Sequence, residues 1–264
     1  MQAINFGSAS LDFFGKPAEV FFPVGLSEDY GEIVTSRKDV KDYEPGLSGF
    51  IHANLESSGY FIDVGAQIGL FSILAALSGT RTISLEMRSS LVMCHYKTLK
   101  AADIQNWTPL NFAADASVGI VPYTDDAQFA LVDGNSDART ATDTVISILM
   151  DDLLPLVEGA SGGLIKMDIE GFEVRALSGA QNLINKTRPI ICIECHPHPA
   201  YLYGTSISDI KQLLPEGYKM FSVGDHRLGM GVEVSQVTEV LPIADNFLLL
   251  CVPQERQAEG IVIV

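Results

Sequence analysis

The chain has 264 residues, of which 47% are hydrophobic and 19% charged, a composition that predicts one large globular domain and excludes intrinsic disorder. Its 33 acidic residues outnumber 17 basic residues, and the net charge of −16 argues against a nucleic-acid ligand, because such binding depends on clustered lysine and arginine. No run of about 18 apolar residues predicts a membrane span, the first residues lack a signal-peptide pattern, and the four cysteines do not resemble a secreted disulfide framework. We therefore expect a cytoplasmic protein.

Residues 1–55 form a mixed segment in which aromatic residues are followed by polar residues and by a break at Pro45 and Gly46. We expect either a short strand layer or a cap over a ligand site. From residue 60 onward, short apolar runs alternate with segments of helical period, which is typical of a three-layer α/β fold with a mainly parallel sheet. The predicted strands are 60–64, 82–86, 108–113, 163–167, 190–194, 218–223 and 246–252. The predicted helices are 68–78, 89–102, 147–157, 173–186 and 206–214. No helix separates the last two strands, so we expect the final strand to run antiparallel beside residues 218–223.

The most informative stretch, residues 60–77, combines a buried strand, a glycine-bounded turn and the start of a helix in YFIDVGAQIGLFSILAAL. Such a turn brings a helix N-terminus close to a ligand, and Gly65 and Gly69 let the backbone approach it. The spacing lacks the G-x-G-x-x-G pattern of dinucleotide sites, and Asp63 would lie poorly beside a pyrophosphate. The pattern D-x-G-x-x-x-G instead favours S-adenosylmethionine, which carries a sulfonium, an ammonium and a single carboxylate.

A second acid, Glu86, ends the next apolar run and follows Gly65 by 21 residues. In folds of this kind, an acid about 20 residues after the glycine turn binds the ribose hydroxyls. Taken alone, Glu86 is equally compatible with a solvated loop acid. Together with the first motif, it indicates a ribose contact.

Residues 115–145 are polar, rich in Asp and Gly, and without helical period. A loop of this length inside a compact domain is often functional. Its strand-like fragments, 120–123 and 129–132, predict an inserted hairpin near the substrate.

The run at residues 163–173, GLIKMDIEGFE, is the second chemical centre. Lys166, Asp168 and Glu170 alternate with apolar residues, so we expect all three side chains on one face of a strand. That much charge on one face is costly unless it converges on a site, and the carboxyl ends of parallel strands face the ligand crevice. The alternative is a strand-end cluster of structural ion pairs. His196, just past the following strand, is expected to reach the same crevice.

Cys192 and Cys195 form a C-x-x-C followed by His196, a spacing that also occurs in zinc sites and redox sites. However, they lie in a predicted strand, where residues three apart point to opposite faces. We expect two small core residues and no metal.

Four segments together resemble the FkbM-type methyltransferases: YFIDVGAQIGLFS, ISLEM, ISILMDDLL and LIKMDIEGFEVRALSGAQNLINKTRPIICIECHP. The resemblance covers about residues 43–197, and its most specific part is KMDIEGFE joined to the RPIICIECH strand. It implies a class I, Rossmann-like S-adenosylmethionine-dependent domain at residues 56–264, after an N-terminal extension. The implied sheet has seven strands, one of them antiparallel. The implied activity is methylation of hydroxyl oxygens on sugars or secondary metabolites.

The resemblance also implies roles for individual residues. Those expected around the cofactor are Asp63, Gly65, Ala66 and Gly69 at its methionine end, Glu86 at the ribose, and Ala114 and Asp115 within the adenine-proximal stretch 112–115. Those expected around the acceptor are Lys166, Asp168, Glu170 and His196 for catalysis, with Glu194 nearby and Glu44 in an aromatic–acid pair with Tyr43. Two positions depart from the family, Gln67 where Asn is usual and Met150 where Leu is usual.

The expected function is therefore O-methylation of a small hydroxylated acceptor, without nucleic acid or membrane. We expect Asp168 or His196 to act as general base, with Asp168 favoured, while Glu170 orients the acceptor and Lys166 pairs with the carboxylates. One alternative is a non-catalytic S-adenosylmethionine-binding subunit of a biosynthetic assembly, against which the intact acidic positions argue. Another, a nicotinamide-dependent oxidoreductase, conflicts with the glycine spacing.

Overall fold

The computed structural model describes residues 4–25, 29–123, 143–160, 162–197, 206–224, 227, 234–237, 243 and 246–257. The strands in this part of the chain are β1 (Asn5–Leu11), β2 (Ala18–Val24), β3 (Phe61–Val64), β4 (Thr82–Leu85), β5 (Trp107–Leu110), β6 (Ala113–Ala114), β7 (Gly119–Tyr123), β8 (Asp143–Ile148), β9 (Leu164–Met167), β10 (Ile190–Cys195), β11 (Tyr218–Val223), β12 (Val234–Gln236) and β13 (Phe247–Pro253). The α-helices are α1 (Tyr30–Thr35), α2 (Pro45–Leu55), α3 (Leu70–Leu77), α4 (Ser89–Ala101), α5 (Glu173–Ser178), α6 (Gln181–Thr187), α7 (Ile207–Leu213) and α8 (Gln254–Gln257). Short 3₁₀ helices occupy Val40–Asp42 and Met150–Leu156.

The main sheet has the strand order β12-β11-β13-β10-β9-β3-β4-β5. The strands from β10 to β5 are parallel. Strand β13 runs antiparallel beside β11, as predicted, and also pairs antiparallel with β10. The predicted α/β fold class is confirmed, but the count of seven strands with one antiparallel is wrong for this sheet, since β12 adds an eighth, antiparallel edge strand. It has three residues, VSQ, and no apolar run that sequence patterning would detect.

The sheet lies between two layers of helices because its strands are apolar on both faces. One core cluster joins Phe61 and Cys192 to α2, α3 and α4, and the other joins Ile193 and Cys195 to α5, α6 and α7. The two cysteines of the C-x-x-C thus lie on opposite faces of β10, as predicted. Both thiols are buried and free, and burial raises their pKa well above the usual value.

Two predicted helices differ from the structure. Residues 147–157 were expected to be helical, but β8 and a 3₁₀ helix containing Pro155 occupy this stretch. Pro155 lacks an amide proton for a regular helix, and the β-branched residues of β8 pair with β7. The predicted helix 173–186 is divided into α5 and α6 at Gly179, where a Cβ atom would lie 2.2 Å from the carbonyl oxygen of Asp115.

The predicted strand at residues 120–123 is confirmed, since β7 covers residues 119–123. It pairs antiparallel with β8, which also pairs in parallel with β6, so that the three form a small second sheet. The other predicted fragment, 129–132, lies outside the described residues.

The expected N-terminal strand layer is present as the β1–β2 hairpin. The amide of Phe21 donates to Oγ1 of Thr98 on α4, and Leu11 and Phe13 share a core cluster with Leu74. The division of the chain at residue 55 stays a prediction. None of the described helices has the length and apolar character that a bilayer crossing requires.

Substitution of Ile193 tests whether burial in the central strands stabilises the domain. The Ile193 side chain is fully buried, and its strand neighbours are Met167 and Leu249. We expect Ile193→Ala to lower the free energy of unfolding by about 2–5 kcal/mol through lost burial and a cavity. Met93→Ala, at a half-exposed position of α4, should change it by less than about 0.5 kcal/mol. Urea unfolding measures both, and equal effects would contradict the assignment of the core.

Candidate active site

The site begins at the turn between β3 and α3, beside the point where the strand order reverses between β3 and β9. Gly65 and Gly69 both take positive φ angles, 75° and 86°. A Cβ atom on Gly65 would lie 2.0 Å from the carbonyl oxygen of Asp168, and one on Gly69 would lie 2.9 Å from Cδ2 of His95. The two glycines therefore make room for neighbouring protein atoms. Between them, Ala66 is buried and its amide donates to the carbonyl of Leu85.

Asp63 and Lys166 face each other across β3 and β9, and both are buried. Lys166 Nζ lies 3.6 Å from Asp63 Oδ1 and donates to the carbonyl of Gly65 at 3.0 Å. Burial lowers the pKa of Lys166, but the carboxylates of Asp63 and Asp168 outweigh this effect and raise it above its usual value. The other oxygen, Asp63 Oδ2, accepts from the hydroxyl of Ser72 on α3 at 2.7 Å. The charged pair thus holds the turn and the helix together.

Glu86 is buried, which excludes the solvated loop acid considered above. Its Oε2 accepts from the amide of Gln67 at 2.9 Å, and its Oε1 accepts from the amide of Arg88 at 2.9 Å. Oε1 also accepts from Nε of Arg88 at 3.5 Å, so the remaining acceptor capacity of this carboxylate lies on Oε2. The ribose contact expected for Glu86 stays a prediction.

Asp115 is also buried, and its carboxylate accepts from Nε and Nη2 of Arg175 on α5, at 2.6 and 2.8 Å. Its amide donates to the carbonyl of Ile148, and the preceding Ala114 belongs to β6. Sequence analysis missed Arg175, because nothing in the sequence pairs residues 60 positions apart. The adenine contact expected for this stretch stays a prediction.

The expectation that Lys166, Asp168 and Glu170 share one face of a strand is wrong. Strand β9 ends at Met167, and Glu170 and Gly171 take φ angles of 55° and 98°, which end the extended chain. Asp168 and Glu170 therefore lie in the turn after β9. Lys166 nevertheless remains 3.7 Å from Asp168 Oδ2.

The end of β10 brings two further predicted residues to this turn. Nε2 of His196 lies 3.4 Å from Glu194 Oε1, and its Nδ1 lies 3.7 Å from Glu170 Oε2. Glu194 also pairs with Arg227, which sequence analysis missed because it lies in no motif. The structure thus joins the predicted groups of two strands into one cluster of charged side chains at the edge of the sheet where the crevice was expected. We call this cluster, which consists of Lys166, Asp168, Glu170, Glu194 and His196, the crevice.

The charged groups of the crevice shift one another's pKa values. Burial lowers the pKa of His196, but the hydrogen bond to Glu194 and the charges of Asp168 and Glu170 outweigh this effect and raise it to about 9. Burial and the neighbouring Asp168 raise the pKa of Glu170 to about 7, against the effect of His196. Burial also raises the pKa of Asp168, which the Lys166 ammonium opposes. At neutral pH His196 is therefore an imidazolium and holds no lone pair for an incoming proton.

Glu44 reaches the same crevice from the N-terminal segment. It precedes α2 in a left-handed conformation, with φ 44°, and its carboxylate raises the pKa of both Lys166 and Arg227. The neighbouring Tyr43 ring lies 5.8 Å from that of Phe71 on α3. The contact with the acceptor expected for Glu44 stays a prediction.

Asp168, Glu194 and His196 could also hold a cation, since each offers a ligand atom and these atoms lie within 4.8 Å of one another. Lys166 and Arg227 already pair with the two carboxylates, however, so their charge is balanced by protein groups. The expectation that the protein uses no metal stays a prediction.

The raised pKa of His196 predicts that the free energy of unfolding depends on pH. Its folded pKa of about 9 exceeds the unfolded value of 6.5, so the stabilisation is complete below pH 6.5 and is lost as the pH rises through 9. We expect the wild type to lose up to about 3 kcal/mol of unfolding free energy from this group across that window. His196→Gln should lack this loss, whereas His52→Gln, at an exposed position, should retain it. Urea unfolding at several pH values measures the difference, and parallel curves for the wild type and His196→Gln would contradict the ion pairs.

Three solved structures of methyltransferases are similar to this chain. A methyltransferase FkbM from Methylobacillus flagellatus KT is 19% identical with a TM-score of 0.46, and the match covers 74% of this chain but only 43% of that protein. An S-adenosylmethionine-dependent methyltransferase from Agrobacterium tumefaciens is 8% identical with a TM-score of 0.49, covering 96% and 72% of the two chains. A precorrin-6y C5,15-methyltransferase from Geobacter metallireducens GS-15 is 10% identical with a TM-score of 0.45, covering 86% and 92%. No curated protein matches the sequence.

The sequence itself matches the methyltransferase FkbM domain over residues 63–220, more than half of its length. This range begins at the acid of β3 and includes the turn, Glu86 and both strands that bear the crevice. The chain therefore belongs to the FkbM methyltransferase family.

Proposed function

We propose that this protein binds S-adenosylmethionine and transfers a methyl group to a hydroxyl oxygen of a small molecule, such as a sugar or a secondary metabolite. The observation that carries the proposal is the position of two buried acids, Asp63 and Glu86, on either side of the glycine turn at the strand-order reversal. The charged crevice formed by residues after β9 and β10 lies beside the same turn, since Asp168 contacts Gly65 through its backbone.

The residues around the turn suit this cofactor. Oε2 of Glu86 accepts one hydrogen bond, from the amide of Gln67, and retains capacity for a ribose hydroxyl. The turn between Gly65 and Gly69 leads into the N-terminus of α3, whose dipole favours a carboxylate. Asp63 is fully buried and pairs with Lys166 Nζ at 3.6 Å, so in this proposal it fixes the turn at the methionine end of the cofactor. When bound, S-adenosylmethionine supplies an activated methyl group on its sulfonium.

The protein's own residues then have to hold the acceptor and remove its proton. Asp168 is the general base in this proposal, because its side chain is 28% exposed, beside a buried ammonium, whereas His196 is already protonated. Glu170, in the same turn, orients the acceptor hydroxyl. A positioned base contributes typically about 10²–10⁴-fold to the rate, and alignment of the reacting groups up to about 7–11 kcal/mol.

Calorimetric titration tests the cofactor. We expect S-adenosylhomocysteine to bind one-to-one with micromolar affinity and NAD not to bind. Glu86→Gln should weaken the affinity about tenfold or more, because charged acceptors make the stronger hydrogen bonds to hydroxyls. Glu56→Gln, an exposed acid, is the matched control. Binding of NAD in place of S-adenosylhomocysteine would overturn the assignment.

Transfer of labelled methyl groups to pools of hydroxylated small molecules tests whether Asp168 is the general base. Asp168→Asn should retain cofactor affinity within about twofold and lower turnover by about 10²-fold or more. Asp42→Asn, at an exposed position, should change neither quantity. Near-normal turnover of Asp168→Asn would exclude Asp168 as base. Tight cofactor binding by the wild type without transfer to any pool would favour a non-catalytic binding subunit.

A further inference from the structure

His95 lies on α4, was not singled out by sequence analysis, and has a completely buried side chain. Its ring packs against the indole of Trp107, with 5.1 Å between the ring centroids, and against Gly69. Both ring nitrogens have partners from other elements, Ser84 on β4 and Gln67 in the glycine turn. A buried imidazole needs hydrogen-bond partners, and here one of them is the backbone of the glycine turn.

The hydrogen bonds around His95 fix the proton on one ring nitrogen. The carbonyl of Gln67 can only accept, so His95 donates to it from Nε2 at 2.7 Å. The indole Nε1 of Trp107 can only donate, and Ser84 Oγ accepts from it at 2.9 Å. The Ser84 hydroxyl lies 3.3 Å from Nδ1 of His95 and donates to it when the imidazole is neutral. The bonds therefore fit a neutral imidazole with its proton on Nε2.

The neutral form also agrees with the surroundings of the ring. Burial lowers the pKa of His95 to about 4, although the Gln67 carbonyl and the charge of Asp63 both act to raise it. Asp63 is itself occupied by Ser72 and Lys166. His95 thus keeps one donor and one acceptor at neutral pH.

The residue that His95 holds is in an unfavourable backbone conformation. Gln67 has φ 53°, in the left-handed region that Gly and Asn tolerate better than Gln. In this conformation its carbonyl meets His95 while its amide meets Oε2 of Glu86. One residue thereby connects the buried imidazole with the acid that is proposed to bind ribose.

We propose that His95 is a positioning residue for cofactor binding, which fixes Gln67 in its left-handed conformation and through it the carboxylate of Glu86. This inference rests on the proposed function for the identity of the ligand, but not for the role of His95 in the turn. If His95 only packed the core, its loss would destabilise the whole domain. If it positions Gln67, its loss changes the turn around Gln67 first.

Amide hydrogen exchange in the ligand-free protein tests the positioning. His95→Phe keeps an aromatic ring against Trp107 and Gly69 but donates nothing to Gln67. We expect it to accelerate exchange of the Gln67 amide about tenfold, the effect of losing a buried hydrogen bond, with little change at Ile193 in β10. Equal acceleration at both amides, or none at Gln67, would overturn the inference in favour of packing.

A second substitution makes the test specific to residue 67. Asn tolerates the left-handed conformation, so Gln67→Asn in the His95→Phe background should recover most of the lost protection. Trp107, the one tryptophan of the sequence, reports by its fluorescence whether the variants keep their fold. No recovery in the double variant would contradict a role that acts through Gln67.

Calorimetry with S-adenosylhomocysteine tests the link to the ligand. His95→Phe should bind about tenfold more weakly, and the double variant should approach wild-type affinity. Unchanged affinity, despite faster exchange at Gln67, would overturn the link to cofactor binding. Failure of the wild type to bind would overturn the proposed function and that link, while the exchange result would still decide whether His95 positions Gln67.

Discussion

The buried ion pair between Asp63 and Lys166 is the contact on which the rest of the site depends. Removing two charges from water is costly, and removing one partner would leave the other buried without compensation. The parallel register of β3 and β9 places the two residues opposite each other, and Lys166 then reaches the carbonyl of Gly65 and the carboxylate of Asp168. The turn after β3 and the turn after β9 are therefore held by one ammonium group, which lies 5.7 Å from the centre of the Phe71 ring.

Around this pair, the polar groups of the site connect elements that are far apart in the chain. Glu86 binds the turn after β3, His95 binds the same turn from α4, and Asp115 binds α5 through Arg175. Most of these groups are buried, where an unsatisfied donor or acceptor costs about 1–3 kcal/mol. The geometry of the loops is consequently determined by hydrogen bonds as much as by apolar packing.

Sequence patterning predicted the strands that carry the site, because buried parallel strands are short apolar runs bounded by glycine and polar residues. It also located Asp63, Glu86 and the acids after β9. It also predicted the end of β9 at residue 167 but not the left-handed conformation of Glu170, because alternation of charged and apolar residues continues from the strand into the turn. Arg175 and Arg227 were missed for a related reason: their partners lie 60 and 33 positions away, and no local pattern relates them.

The position of Glu44 couples two properties of the domain that could have been separate. Glu44 lies before the region that matches the family, residues 63–220, but the helix that follows it, α2, packs in the same core cluster as Phe61 of β3 and Cys192 of β10. The N-terminal segment is therefore part of the folding unit and not an exchangeable module. Sequence drift beside the crevice is confined to polar positions such as 44, because the neighbouring apolar positions also support the central sheet.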